Sequence, residues 1–308
     1  TAAAPWAPPE PGWRIAVRGD GMYILTYADL AAAGVLAGNP DPRTFRMLYQ
    51  GEEIAIQVVG ESDGEFGTSD AVIFYGQERA SKYSHDNIYW LTFGQGNGLR
   101  MQPRDGAPGT AATPAYYRST LHYELNEIYV STALGPDELE RWFANVLYPP
   151  VQPTLNYDLV LEAPYSGEYV GNLRVVLFGL MEHAINPDHH VKVLLNDVEV
   201  GDIWFDGRTW YTFEAAVPQS LLRPGANRLT LTHPNDTGVG SDVIYFDWAE
   251  LEYAASLSAH DDVLAFGYDV PASRKYVIEG FNHADVAVYD VSDPTHVVLV
   301  EGVDVQAS

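Results

Sequence analysis

Along most of this chain apolar side chains alternate with polar ones at a period of two, the mark of half-buried β-strands rather than of helices. The pattern is clearest between residues 191 and 253. Val191, Val193 and Leu195 alternate up to Asn196-Asp197, which predicts a hairpin turn, and Val198, Val200, Ile203 and Phe205 continue the pattern beyond it. Tyr211, Phe213, Ala215 and Val217 repeat it as far as Pro218. Residues 219–222 leave room for one helical turn before Pro224-Gly225 reverses the chain. Leu229 and Leu231 then face one way and Thr230 and Thr232 the other. In the aromatic-rich run 243–253, Ile244, Phe246 and Trp248 share one parity whereas Leu251 and Tyr253 take the other. One extra residue near Ala249 accounts for the change, so a bulge is expected there.

Upstream, 13–17 and 22–25 flank Asp20-Gly21 and read as a hairpin, because Asp-Gly tolerates the positive φ of a tight turn. A short helix comes next, with Thr26 as its cap, Asp29 at the third helical position and Gly34 as its stop. Residues 45–49 and 53–59 form a second hairpin about Gln50-Gly51, and 71–75 and 87–93 supply two more strands. After a junction at 110–114 the alternation resumes over 116–130. Leu139, Trp142, Phe143, Val146 and Leu147 have helical spacing, which predicts a short helix opened by Gly135-Pro136 and stopped by Pro149-Pro150. Strands at 155–161 and 171–180 complete a sandwich of about eight strands.

The chain therefore reads as mainly β in three parts after a flexible Pro/Ala-rich tail at 1–12. These are an N-terminal β-rich domain at 13–112, a central jelly-roll sandwich at 113–254, and a small β module at 255–308. The last, with short strands at 263–267, 274–279, 286–291 and 297–302, resembles a truncated immunoglobulin-like unit.

Composition narrows the partners. Of 308 residues, 17 are basic and 42 acidic, and a net charge of −25 repels nucleic-acid backbones and anionic lipid heads. A 46% hydrophobic content is ample for packed cores, while no apolar run is long enough to span a membrane. The sequence contains no Cys, hence neither a disulfide nor a thiol nucleophile. It opens on Thr, which suggests a processed or truncated product.

Two resemblances emerge from these residues. Leu222, Pro224, Gly225, Asn227, Leu229 and Leu231, followed by Asp242, Asp247, Trp248, Glu250, Leu251 and Tyr253, resemble the strand motifs of galactose-binding-like jelly rolls, the sandwich of many carbohydrate-binding modules. The whole chain resembles the region that precedes the catalytic domain in gingipain-type cysteine peptidases, including relatives of the type IX secretion sortase. The matching pieces are 17–23 (VRGDGMY), 63–66 with Asp70, 74–76, 87–91 (NIYWL), 122–124 with Trp142-Phe143, and 289–294 (YDVSDP). That resemblance implies a secreted or cell-surface protein whose leading modules fold beside, inhibit, chaperone or target a downstream peptidase. The family's chemistry needs a His and Cys pair. A chain without Cys cannot perform it.

Candidate chemistry beyond this is sparse. Asp63, Glu65 and Asp70 surround a Gly-rich turn and are candidate Ca²⁺ ligands, against the plainer reading of a solvated turn whose Asp side chains bond their own backbone. Asn235-Asp236 with Asp242 and Asp247 form a second acidic candidate. Glu182-His183 and Asp188-His189-His190 have metal-ligand character, but adjacent histidines opening a strand point to opposite faces and cannot share one ion. Gly94, Gly96 and Gly98 lack the helix that a dinucleotide site requires. Trp204, Trp210 and Tyr211 lie near the middle hairpin and are candidates for stacking on a saccharide, against half-buried packing. The expected function is thus a non-catalytic leading region of a gingipain-like peptidase; the alternative is a freestanding carbohydrate-binding sandwich.

Overall fold

A computed structural model describes residues 6–79, 84, 86–94, 96–135 and 140–306, and the chain divides into two units, Thr1–Pro108 with Ala284–Ser308, and Gly109–His283. In the first unit, β1 (Trp13–Val17) and β2 (Gly21–Thr26) lead into α1 (Tyr27–Ala32). The helix starts where its cap demands: the Asp29 N–H donates to the Thr26 hydroxyl at 3.3 Å, and the Thr26 N–H donates back to the Asp29 carboxylate at 2.9 Å. β3 (Phe45–Tyr49) and β4 (Glu52–Ile54) form a hairpin whose turn residues, Gln50 and Gly51, both take positive φ, 51° and 91°. Then come β5 (Gln57–Val59), β6 (Ala71–Gly76), β7 (Asn87–Phe93) and β8 (Gln102–Asp105).

These strands make two small sheets, ordered β1-β7-β3-β4 and β2-β6-β5. Their core holds Phe45, Met47, Ile54, Phe74, Tyr89 and Leu91, all nearly or fully buried, with Leu30 and Val35 brought in by α1 and the turn after it. The expected hairpin at Asp20-Gly21 does not form, since β1 pairs with β7 and β2 with β6. The Asp20 carboxylate, which would have closed that turn, instead accepts the Glu78 N–H at 2.6 Å. The chain thereby crosses from one sheet to the other.

Among the described residues the second unit is a nine-stranded sandwich with a small ribbon. Its strands are β9 (Tyr117–Glu124), the ribbon β10 (Ile128–Tyr129) and β11 (Trp142–Phe143), then β12 (Asn145–Leu147), β13 (Thr154–Leu161), β14 (Val170–Gly179), β15 (His189–Leu195), β16 (Val198–Phe205), β17 (Trp210–Pro218), β18 (Gly225–Thr232) and β19 (Ile244–Ala255). One sheet runs β17-β14-β19, with β9 and β12 sharing the far edge of β19; the other runs β13-β18-β15-β16. All pairings in both are antiparallel. Between them lies one core that includes Leu159, Leu177, Val193, Leu229, Phe246 and Leu251.

Local chemistry explains the joins. Asn196 and Asp197 adopt φ of 50° and 66° in the β15–β16 turn. Asn227 is fully buried because its side-chain amide closes the Pro-Gly turn, donating to the carbonyls of Arg223 (2.8 Å) and Gly225 (3.0 Å) and accepting the Arg223 N–H at 3.0 Å. The bulge in β19 exists: Val175 faces Ala249 and Leu177 faces Phe246, so Asp247 and Trp248 together oppose the single residue Val176. Trp248 accordingly leaves the core face that Ile244 and Phe246 hold.

Two expectations are corrected. The helix expected after Gly135 begins on residues 136–139, which lie outside the described residues, and its remainder is strand. The free edge of β19 supplies backbone partners there, including the Phe246 carbonyl for the Ala144 N–H at 2.9 Å, and this ladder overrides the helical spacing. The separate module expected at 255–308 also does not form. β20 (Val288–Asp290) and β21 (Val298–Glu301) pair together, and β21 runs parallel to β8 in the first unit. Residues 263–279 stay with the sandwich without becoming strands. Phe266, Tyr268 and Tyr276 cluster there, and Phe266 packs on Tyr117.

Candidate functional site

Strand parity delivers two histidines and an aspartate to one end of the sandwich interior. The inward series of β15 extends back from Val191 to His189, that of β18 runs on from Leu231 to His233, and that of β19 back from Ile244 to Asp242. All three are buried. Asp242 accepts from both rings, at 2.6 Å from His189 Nδ1 and 2.6 Å from His233 Nε2.

The remaining contacts fix the protons. His189 Nε2 faces two carbonyls, of Met181 (3.2 Å) and Gly207 (3.1 Å), and must donate; its Nδ1 donates to Asp242. His189 is therefore an imidazolium. His233 Nδ1 accepts the Asn235 N–H at 3.0 Å, leaving only Nε2 to carry a proton. Burial would lower the His189 pKa, but its bond to Asp242 and the charges of Asp242 and Asp188 outweigh this and hold it above the ordinary value. For Asp242 burial acts upward, and the two imidazoles win, holding it below the ordinary carboxylate range.

Asp188, also buried, accepts the N–H groups of His183 (2.8 Å) and Gly207 (2.9 Å). The outward-facing His190 bridges two half-exposed carboxylates, Asp236 and Asp202, each at 2.6 Å, and lies flat on Trp204 with ring centroids 3.7 Å apart. The bond from His190 holds Asp202 below its ordinary value. Three loops, 180–188, 206–209 and 233–243, are thus pinned by one set of His and Asp contacts. His189 and His233 share Asp242, while His190 takes Asp236 and Asp202.

The candidate metal residues are not brought together. Asp63 accepts the Glu65 N–H at 3.0 Å and Asp70 accepts the Gly67 N–H at 2.7 Å, so each carboxylate closes its own turn. Among the described residues no group of three or more His, Cys, Asp or Glu is gathered to hold a metal ion. In the second acidic candidate, Asp236 and Asp242 are taken by histidines, and Asp247 sits apart at the β19 bulge. Burial, with Glu124 and Glu140 nearby and His122 opposing them, pushes Asp247 up to about 7.

The three candidate stacking rings do not share a face. Trp210 and Tyr211 are consecutive in β17 and so point to opposite sides of their sheet. Trp210 lies on the outer side against Phe143, centroids 5.3 Å apart, with its indole N–H donating to the Leu134 carbonyl at 2.6 Å. Tyr211 turns inward onto Phe205 at 4.9 Å. Trp204 is on the opposite sheet and is the exposed ring of the three. Sequence reasoning missed the partners His233 and Asp202. The signal for His233 was its place in the inward series after Leu229 and Leu231.

No family model and no curated protein matches the sequence. Among solved structures, dimeric latent PorU from Porphyromonas gingivalis matches 96% of this chain at 16% identity with a TM-score of 0.69. The match spans 29% of the PorU chain, so this chain covers less than a third of that protein's length. A family 36 carbohydrate-binding module in complex with calcium and xylotriose matches 43% of this chain and 98% of its own, at 16% identity and a TM-score of 0.28. The PorU likeness establishes a shared fold, mainly β, in which an N-terminal β-rich unit and a jelly-roll sandwich occur in one chain. The lower score of the carbohydrate-binding module bears on neither ligand nor calcium. Among the described residues no helix is long and apolar enough to cross a membrane.

Proposed function

We propose that this chain is a non-catalytic, propeptide-like accessory region of a secreted or cell-surface gingipain-like cysteine peptidase, acting in the folding, inhibition or targeting of the catalytic domain. The observation that carries this reading is the extent of the PorU likeness, which runs through both units and not the sandwich alone. The sequence pieces that resemble the gingipain-type region also fall on framework positions: 17–23 is the crossing between β1 and β2, 74–76 ends β6, 87–91 lies in β7 and 289–294 begins in β20. Without Cys the chain cannot form the thiolate that such peptidases use, which fits an accessory part.

The test is to read the parent reading frame beyond Ser308 and to express the segment it encodes there with and without this chain supplied separately. A domain with a His and Cys pair whose soluble yield or peptide hydrolysis changes when the chain is present supports the proposal. A frame without such a domain, or a domain indifferent to the chain, removes it. The saccharide alternative loses the shared platform of Trp204, Trp210 and Tyr211, and no observation at those rings favours it.

A further inference from the structure

In the first unit the chain's own N-terminal segment is seated on the outer face of the sheet β1-β7-β3-β4. Strand parity turns Tyr89 and Leu91 of β7 into the core and leaves Ile88, Trp90 and Thr92 on the opposite face. Residues 6–12 run back over that face. Trp6 packs on Trp90, ring centroids 6.3 Å apart, and its indole lies over Gly51 of the β3–β4 turn, where a Cβ would stand 2.5 Å from the ring. Thr92 has outward parity yet is buried, and its hydroxyl donates to the Pro11 carbonyl at 2.6 Å. The chain bends at Glu10 and Pro11, and a Cβ on Gly12 would strike the Pro9 carbonyl, so a glycine there is what lets the segment fold back before β1. All of these residues belong to the first unit.

The composition of the segment decides how it is held. Pro8, Pro9 and Pro11 have no backbone N–H and cannot extend a sheet ladder, so the segment lies across the sheet face as an extended, polyproline-like strap and not as an added strand. Proline also limits the conformations of the free segment, which lowers the entropy lost on docking. The seat matches it with an aromatic ring at Trp90, Leu48 beside that ring in the register of β3, room for an indole over Gly51, and a hydroxyl at Thr92 for a carbonyl. The hold is light. Residues 6–8, 10 and 11 stay exposed, and half of the Trp6 surface faces solvent. A contact this small belongs to weak, reversible recognition. The tether offsets that weakness, because it presents the segment at about millimolar effective concentration.

We infer that this sheet face is a recognition seat for an extended segment carrying Trp and Pro, filled in cis by residues 6–12 as a releasable strap. Lifting the strap uncovers Trp90 and Thr92 together. The inference is independent of the peptidase reading, so either can fail without the other.

The test is calorimetry and NMR titration of a synthetic peptide of residues 1–12 (TAAAPWAPPEPG) into the 308-residue chain carrying Trp6→Ala, which weakens the strap's own hold on the seat. Saturable binding with a dissociation constant of about 0.1 mM is expected. The unmodified chain should bind the peptide about tenfold more weakly, because its own strap competes at about 1 mM effective concentration. Replacing Trp by Ala in the peptide, or adding Trp90→Ala to the chain, should weaken binding about tenfold or more, and adding Thr92→Val about threefold. Melting curves verify that the variants fold, and the milder Thr92→Val carries the chain-side test alone if Trp90→Ala does not fold. Absence of saturation up to about 10 mM overturns the inference, as does equal affinity for the unmodified and Trp6→Ala chains, or binding that survives the seat variants. So does a concentration-dependent dimer of the unmodified chain that the peptide dissociates, which would put the strap on a second copy.

Discussion

His189 Nδ1 lies 2.6 Å from Asp242 Oδ1 with both side chains fully buried, an ion pair sealed inside the end of a β-sandwich. The second Asp242 oxygen is taken by His233, so the carboxylate is shared between two strands of the sheet opposite its own. Removing one member of a buried pair leaves the other charged and dry. Asp242→Ala is therefore expected to lower the stability of the sandwich by about 3–5 kcal/mol, read from urea unfolding of the full chain. A loss below about 1 kcal/mol would mean that the pair is not closed to water.

The same pair sets a pH window. His189 has a raised pKa in the folded state, so its contribution is fully present below the ordinary histidine value and is lost as pH rises through the folded one. Asp242 has a lowered pKa, so its contribution is present above the ordinary aspartate value and is lost as pH falls through the folded one. Melting temperatures across a pH series should therefore fall both toward strong acid and toward alkali. A midpoint flat from pH 5 to pH 9 would contradict the assignment of the imidazolium, the window being roughly that of an ordinary histidine.

Asp247 works in the opposite sense to its neighbour in sequence. Its folded pKa of about 7 lies above the unfolded value, so ionising it while folded costs stability progressively as pH rises toward 7 and by a constant amount above. Asp247→Asn should stabilise the sandwich by about 2 kcal/mol at pH 8, after discounting for partial exposure, and by nothing measurable at pH 4. The comparison of the two melts at each pH checks it.

In the first unit Arg100 joins segments far apart in sequence. Its guanidinium donates to the Glu61 carboxylate at 2.8 Å and to the carbonyls of Pro42 (3.0 Å), Arg43 (2.9 Å) and Phe45 (3.0 Å). A lysine offers one ammonium where the fork serves several acceptors. Arg100→Lys should cost about 2–3 kcal/mol in the unfolding of this unit, measured by the same denaturant titration.

Calcium gives a further check on the loop 63–70. Because Asp63 and Asp70 already bond their own backbone, chelator and added calcium should both leave the melting midpoint unchanged. A rise with calcium concentration would show that the carboxylates reorganise around an ion.

Much of the architecture was legible because strand parity is a local property. The β15–β16 turn and the β19 bulge each follow from residues within a few positions of one another. The features that were not legible depended on distant partners. β10 turned Trp142-Phe143, and the β19 edge turned residues 145–147, from a helical spacing into strand, and Glu78 drew Asp20 out of a hairpin. The C-terminal stretch divided because 298–301 found β8, nearly two hundred residues earlier in the chain. At the candidate sites, parity alone would have separated Trp210 from Tyr211. The pairing of His190 with Asp202 and Asp236 needed the sheet.

The most direct measurement of the accessory role is the association of this chain with the peptidase domain that the proposal places in its reading frame, followed by size exclusion and calorimetry alongside a peptide-hydrolysis assay. The account predicts a stoichiometric complex, altered hydrolysis by the domain, and no turnover by the chain alone. Independent elution of the two, or peptide turnover by the cysteine-free chain, would contradict it.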